Sequence, residues 1–107
     1  MRVNKINPYQ ALACEELDLL INENLFGRVG GSFCPSYSTD NSLVQKIRKK
    51  LQKVYGTHVV VGRTQIKSKP CFARYGTDPS TSTEVLAETE SLATCRMALL
   101  LIQQKED

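Results

Sequence analysis

The chain has 107 residues, 41% of them hydrophobic and 23% charged, with a formal net charge of +3 at pH 7. Such a chain builds one domain around one core, and a charge this small does not mark a dedicated nucleic-acid binder. No apolar run approaches the roughly 20 residues of a membrane span, and MRVNKINPYQ lacks the apolar stretch of a secretory signal, so the cytoplasm is the expected location.

Asn7-Pro8 predicts a helix start, with Asn as cap and Pro at the first helical position. Ala13, Leu17, Leu20, Ile21 and Asn24 then recur at helical spacing, joined by Leu25 and Phe26, until Gly27 ends the run. Glu15, Glu16 and Asp18 read as its solvated acidic face. The segment GRVGGSFCPSY at 27–37 holds three of the six glycines, which makes it a loop or a short irregular strand rather than a domain linker. Gly30-Gly31-Ser32 could turn backbone N–H groups toward a phosphate, but the P-loop pattern is absent and a plain turn is the expectation.

Ser38-Thr39-Asp40 opens a second helix, since any of the three side chains can cap it. Leu43, Val44, Ile47, Leu51 and Val54 form its buried stripe, and Lys46, Arg48, Lys49, Lys50 and Lys53 its basic face. Val59-Val60-Val61 begins a strand after Gly56-Thr57. KPCFARYG alternates, with Cys71, Ala73 and Tyr75 on one side and Phe72 and Arg74 on the other. The polar stretch from Gln65 to Lys69 makes these two an antiparallel hairpin with a longer loop, and Glu84 to Glu88 is a third strand after GTDPSTST. Thr89 or Ser91 caps the last helix. Its stripe of Leu92, Cys95, Leu99 and Ile102 is widened by Ala98, Leu100 and Leu101. That surplus of apolar surface points to packing on the sheet and on something more, either the first helix or a second copy of the chain.

Cys14, Cys34, Cys71 and Cys95 lie too far apart for a zinc site, with no CxxC pair and only His58 as a histidine. A cytoplasmic chain is not expected to use them as disulfides. Cys14 and Cys95 fall in helical patterns and read as small buried hydrophobes.

Helix, helix, three strands and helix, in that order, predict a single α+β domain over residues 1–107, a small antiparallel sheet packed with helices. Three blocks resemble the phage ABA sandwich domain family: Leu17-Asp18 through Phe26-Gly27, Tyr37-Ser38-Thr39-Asp40, and Ala87-Glu88-Thr89 followed by Cys95-Arg96-Met97-Ala98-Leu99. Ser91 stands where the family has Pro before its last helix, and its Trp-rich middle has no counterpart here. The resemblance implies an α/β/α sandwich-like fold and a phage protein at work in a bacterial host cell. It implies no catalytic residue set.

Chemistry finds little support in the residues themselves. His58 has no nearby partner, Asp40 and Asp78 sit in cap or turn contexts, and HExxH, GxSxG and Cys–His signatures are absent, so no enzyme and no cofactor are expected. Binding is the remaining expectation. The first form is capture of a small phosphorylated or nucleotide ligand, with Tyr37, Ser38, Thr39, Arg63, Lys67, Lys69 and Arg74 as ligand-binding residues. The second is inhibition of a host protein such as a defence nuclease, through the basic face from Lys46 to Lys53 or the apolar last helix. A homo-oligomer is expected with either, nucleic acid is the weakest partner, and no membrane is involved.

Overall fold

The computed structural model describes residues 7–27, 34–76 and 83–106. Its elements are α1 (Glu15–Asn24), a 3-10 turn (Asn41–Leu43) running straight into α2 (Val44–Tyr55), β1 (Val59–Arg63), β2 (Cys71–Tyr75), β3 (Thr83–Ala87) and α3 (Glu90–Glu106). The strands form an antiparallel sheet in the order β1-β2-β3. This is the α+β domain that the element order predicts.

α3 is the shared middle of the domain. Every residue from Ser91 to Ile102 is buried, so over three turns no side of the helix faces solvent. It packs on β2 and β3, and also on α1 and α2, whereas α1 makes no comparable contact with the sheet. The apolar surplus of the last helix is therefore covered within the chain. Ala73 and Ala87 on the inner sheet face, and Ala93 and Ala98 on the helix, are fully buried; their small side chains allow close approach.

Strand alternation divides the sheet cleanly. Val59, Cys71, Ala73, Val85 and Ala87 are buried on the inner face. The outer face carries two cross-strand rows, Val60–Arg74–Glu84 and Gly62–Phe72–Leu86. The Phe72 ring lies so closely over Gly62 that a Cβ there would come within 2.9 Å of its carbons. The Arg74 guanidinium sits 5.2 Å from the centroid of the same ring.

An arginine bonds one outward carbonyl on each sheet edge. Thr64 N–H donates to the Pro70 carbonyl at 2.7 Å, so by alternation Gly62 and Val60 bond to β2 and the Val59 carbonyl points away from the sheet. Arg48 Nε donates to that carbonyl at 2.7 Å. On β3 the same alternation turns the Leu86 carbonyl outward, where Arg96 Nη1 donates to it at 2.6 Å. An edge carbonyl already taken cannot template a foreign strand.

Several expectations are corrected. Asn7-Pro8 starts a turn, not the helix: Asn7 Oδ1 accepts from Tyr9 N–H at 2.9 Å and the Asn7 carbonyl from Gln10 N–H at 3.0 Å. Arg96 Nε then holds the Ala11 carbonyl at 2.8 Å, and α1 begins only at Glu15 with Ala13 and Cys14 exposed before it. Asp18 is buried rather than part of a solvated face, because it serves as an acceptor described below. Val54 is 48% exposed, since the last turn of α2 outruns the core. The third strand starts and ends one residue earlier than expected. The expected caps are borne out: of Thr89 and Ser91 it is Thr89 that caps α3, its Oγ1 accepting Leu92 N–H at 3.1 Å, and of Ser38, Thr39 and Asp40 it is Asp40 that caps the turn before α2. Gly30-Gly31-Ser32 and Asp78 lie outside the described residues. Among the described residues no helix is long and apolar enough to cross a membrane.

Candidate functional site

The Tyr37–Asn41 segment ties three helices together. Asp18 and Asn22 stand four apart on one face of α1 and reach consecutive residues of it. Asp18 Oδ1 accepts Ser38 N–H at 2.7 Å, and Asn22 Oδ1 accepts Tyr37 O–H at 3.0 Å. Tyr37 is fully buried and stacks on Phe26, with centroids 5.1 Å apart and rings 5° from parallel. On the α3 side, Ser91 Oγ donates to the Ser38 carbonyl at 3.1 Å and Ser91 N–H to Asn41 Oδ1 at 3.0 Å. Ser38 Oγ is buried without a hydrogen-bond partner among the described residues. Asp40 accepts both the Ser42 hydroxyl and the Ser42 N–H, which hold its carboxyl below the ordinary carboxylate range.

The other ligand-binding residues expected from sequence fall into two places. Arg63 pairs with Cys71, and Cys71 with Ala87, which lies three residues before α3 begins. Burial raises the Cys71 thiol, Arg63 draws it down and Glu90 pushes it up, so both charges stand near it. Thr39, Arg63, Lys67 and Lys69 therefore share the end of the domain at which α3 starts. Thr39, Arg63 and Lys67 are exposed there and Lys69 half-buried, whereas Tyr37 and Ser38 are in the interior. Arg74 belongs elsewhere, on the outer face of the sheet and directed opposite to Tyr75.

The basic face of α2 is partly fixed in place. Lys46 Nζ lies 5.6 Å and Lys50 Nζ 5.9 Å from the centroid of Phe26, the ring on which Tyr37 stacks. Arg48 is anchored on Val59 and also donates from Nη1 to Gln45 Oε1 at 3.3 Å. Between this face and the start of β1 is a notch of about 90 Å³ lined by Gln45, Arg48, Lys49, Gln52, His58 and Val59.

A larger open cleft of about 510 Å³ has a different character. It is lined by Cys14, Glu15, Asp18, Leu19, Cys34, Ser36 and Thr39. Burial raises the Cys34 thiol, and Asp18, Glu15 and Glu23 raise it further. Carboxylates that disfavour a thiolate also repel a phosphate, so this cleft suits neither an activated cysteine nor an anionic ligand. Deep burial raises the Cys95 thiol strongly, and burial lowers the Arg96 guanidinium, opposed by Glu88. No group of three or more metal-ligating side chains is assembled among the described residues.

Sequence reasoning missed Asp18, Asn22, Arg96 and the joining of His58 to α2. For the first two a signal existed: polar residues at i and i+4 beside Leu17 and Ile21 sit at core positions of the helix. For Arg96 it was a charge within an otherwise apolar run.

No family model matches the sequence, and no curated protein does. Among solved structures the fold is similar to that of a phage protein from Bacillus cereus ATCC 14579, known from a 2.0 Å crystal structure. The TM-score is 0.61 at 24% identity, over 85% of this chain and 95% of the other. At that identity the likeness is one of fold.

Proposed function

We propose that this is a phage-type accessory protein that binds and sequesters a small phosphorylated or nucleotide ligand, without chemistry, to counter a host defence. The observation that carries this reading is a set of uncommitted cations. Among the described residues, none of Lys49, Lys53, Arg63, Lys67 and Lys69 is held by a carboxylate. Cations without internal partners remain available to phosphate oxygens. Polar groups that could serve catalysis are instead spent on structure: Asp18 on Ser38, Asn22 on Tyr37, Ser91 on Ser38 and Asn41. In this reading Arg63, Lys67 and Lys69 meet the ligand, while Thr39, held from beneath by Tyr37 and Ser38, borders the acidic cleft and Arg74 stays on the outer sheet face. A nucleotide needs roughly 300 Å³ or more of enclosure, and in this reading a second protomer completes the pocket over the three hairpin cations.

A second reading is inhibition of a host protein with an acidic surface, such as a defence nuclease. Lys46 and Lys50, ordered over Phe26 on an open helix face, favour it. Native mass spectrometry after incubation with extract from cells whose nucleotide-based defences are active separates the two. The expected result is an oligomer carrying a discrete adduct that dissociates as a nucleotide. A protein adduct lost on Lys46→Glu/Lys50→Glu, with no small mass bound, would transfer the function to the second reading.

A further inference from the structure

We infer that the notch between α2 and the start of β1 is a binding site for one tetrahedral oxyanion, the phosphate group of a phosphorylated ligand. Gln45, Arg48, Lys49 and Gln52 stand at i, i+3, i+4 and i+7 and so share one helical face. Gly56 ends α2 in the left-handed conformation, φ 66°, and this turn brings His58 back against the same face. Every lining residue except Val59 carries a side-chain N–H donor, and no carboxylate is among them.

Arg48 is the fixed element. Its bonds to the Val59 carbonyl and to Gln45 orient the guanidinium and leave the rest of its donor fork uncommitted among the described residues. A donor already held in place loses little freedom on binding. Size agrees with the donors. The notch, about 90 Å³, holds the equivalent of about three waters, at about 30 Å³ each. That is the scale of a single phosphate group. The larger cleft beside Cys34 is acidic and cannot compete for it.

This site deepens the proposed function and rests on the ligand being phosphorylated; it assigns the phosphate to residues other than the hairpin cations. The test is an amide and side-chain NMR titration with inorganic phosphate at constant ionic strength. Shifts are expected to gather at Gln45–Gln52 and at His58 and Val59. Lys49→Gln and His58→Gln, both exposed positions, should each weaken binding about tenfold, as loss of a charge-assisted contact does, while Glu23→Gln, an exposed change of charge on α1, leaves it unchanged. Shifts spread over every lysine-bearing segment, or centred on Arg63–Lys69, would overturn the inference, as would no shift at all. Nucleoside monophosphate and an oligodeoxynucleotide serve as competitors. Displacement by the mononucleotide supports a small ligand, whereas preference for the oligomer with steep salt dependence would overturn it in favour of nucleic acid. The two proposals fail separately. Phosphate in the notch with no cellular adduct defeats sequestration alone; an adduct that survives Lys49→Gln and His58→Gln defeats the notch alone.

Discussion

The Asp18 carboxylate and the Ser38 backbone N–H meet at 2.7 Å, both buried and twenty residues apart. The bond fixes where the chain re-enters the core before α2, and with it the positions of Tyr37 and Thr39. Removing the acceptor leaves a buried N–H without a partner. Asp18→Ala is expected to cost about 1.5–3 kcal/mol, the range for a hydrogen bond to a charged group. Asp18→Asn keeps an acceptor and should cost less. Urea unfolding measures both, and an Asp18→Ala midpoint equal to wild type would show that the contact contributes nothing.

Arg96 joins the segment before α1 to the edge of β3, through the Ala11 and Leu86 carbonyls. Burial of a guanidinium is tolerated here because both carbonyls accept from it. Arg96→Met should destabilise by about 3 kcal/mol or more, since two acceptors lose their donor at once. Arg96→Lys, able to serve one of them, should fall between. Hydrogen exchange of the β3 amides gives the local readout: faster exchange in Arg96→Met than in Arg48→Met is expected, because Arg96 holds the Leu86 carbonyl of β3 whereas Arg48 holds the Val59 carbonyl of β1.

How far the sequence was legible follows from where each partner lies. α2 was readable because its cap, Asp40, and its stripe of Val44, Ile47 and Leu51 are local. α1 was misjudged at its start because Asn7 caps a turn, and Ala11 is held by a side chain 85 residues away. Periodicity failed in α3 for the opposite reason. A helix covered on all sides has no polar face to reveal its orientation, so periodicity did not place Ser91 and Thr94 in the interior, and for Arg96 the one signal was its charge within an apolar run. The candidate site was legible as charges and not as geometry. The spacing of Arg48 and Lys49 is visible in the chain, but their meeting with His58 depends on the left-handed turn at Gly56.

Asp40 makes the start of α2 sensitive to acid. Its carboxyl is held below the ordinary value by the Ser42 hydroxyl and then by the Ser42 N–H. A carboxylate whose folded value is depressed stabilises the fold above its unfolded value, about 3.9, and loses that contribution as pH falls through the folded one. Wild type should therefore unfold at higher temperature than Asp40→Ala at neutral pH. The gap should close as pH drops from about 4 to about 2. A gap that stays constant over this window would mean that the cap does not act through its charge.

The four cysteines should separate by reactivity in an order set by their surroundings. Cys14 is exposed, Cys34 half-buried, and Cys71 and Cys95 buried. Thiolate is the reacting species, so anything that raises the thiol slows alkylation. Cys34 is raised by burial and by Asp18, Glu15 and Glu23, while Cys95 is raised far more by its place inside α3. Iodoacetamide followed by mass spectrometry should therefore modify Cys14 first and Cys34 more slowly, with Cys71 and Cys95 reacting only on unfolding. Added salt should speed Cys34 selectively, because it screens the carboxylates without altering burial. Glu15→Gln should act in the same direction while leaving the Asp18–Ser38 bond intact. If Cys95 reacted in the native protein at the rate of Cys14, α3 could not be the enclosed centre of the domain. If Cys34 ignored both salt and Glu15→Gln, the acidic character of its cleft would have no chemical consequence.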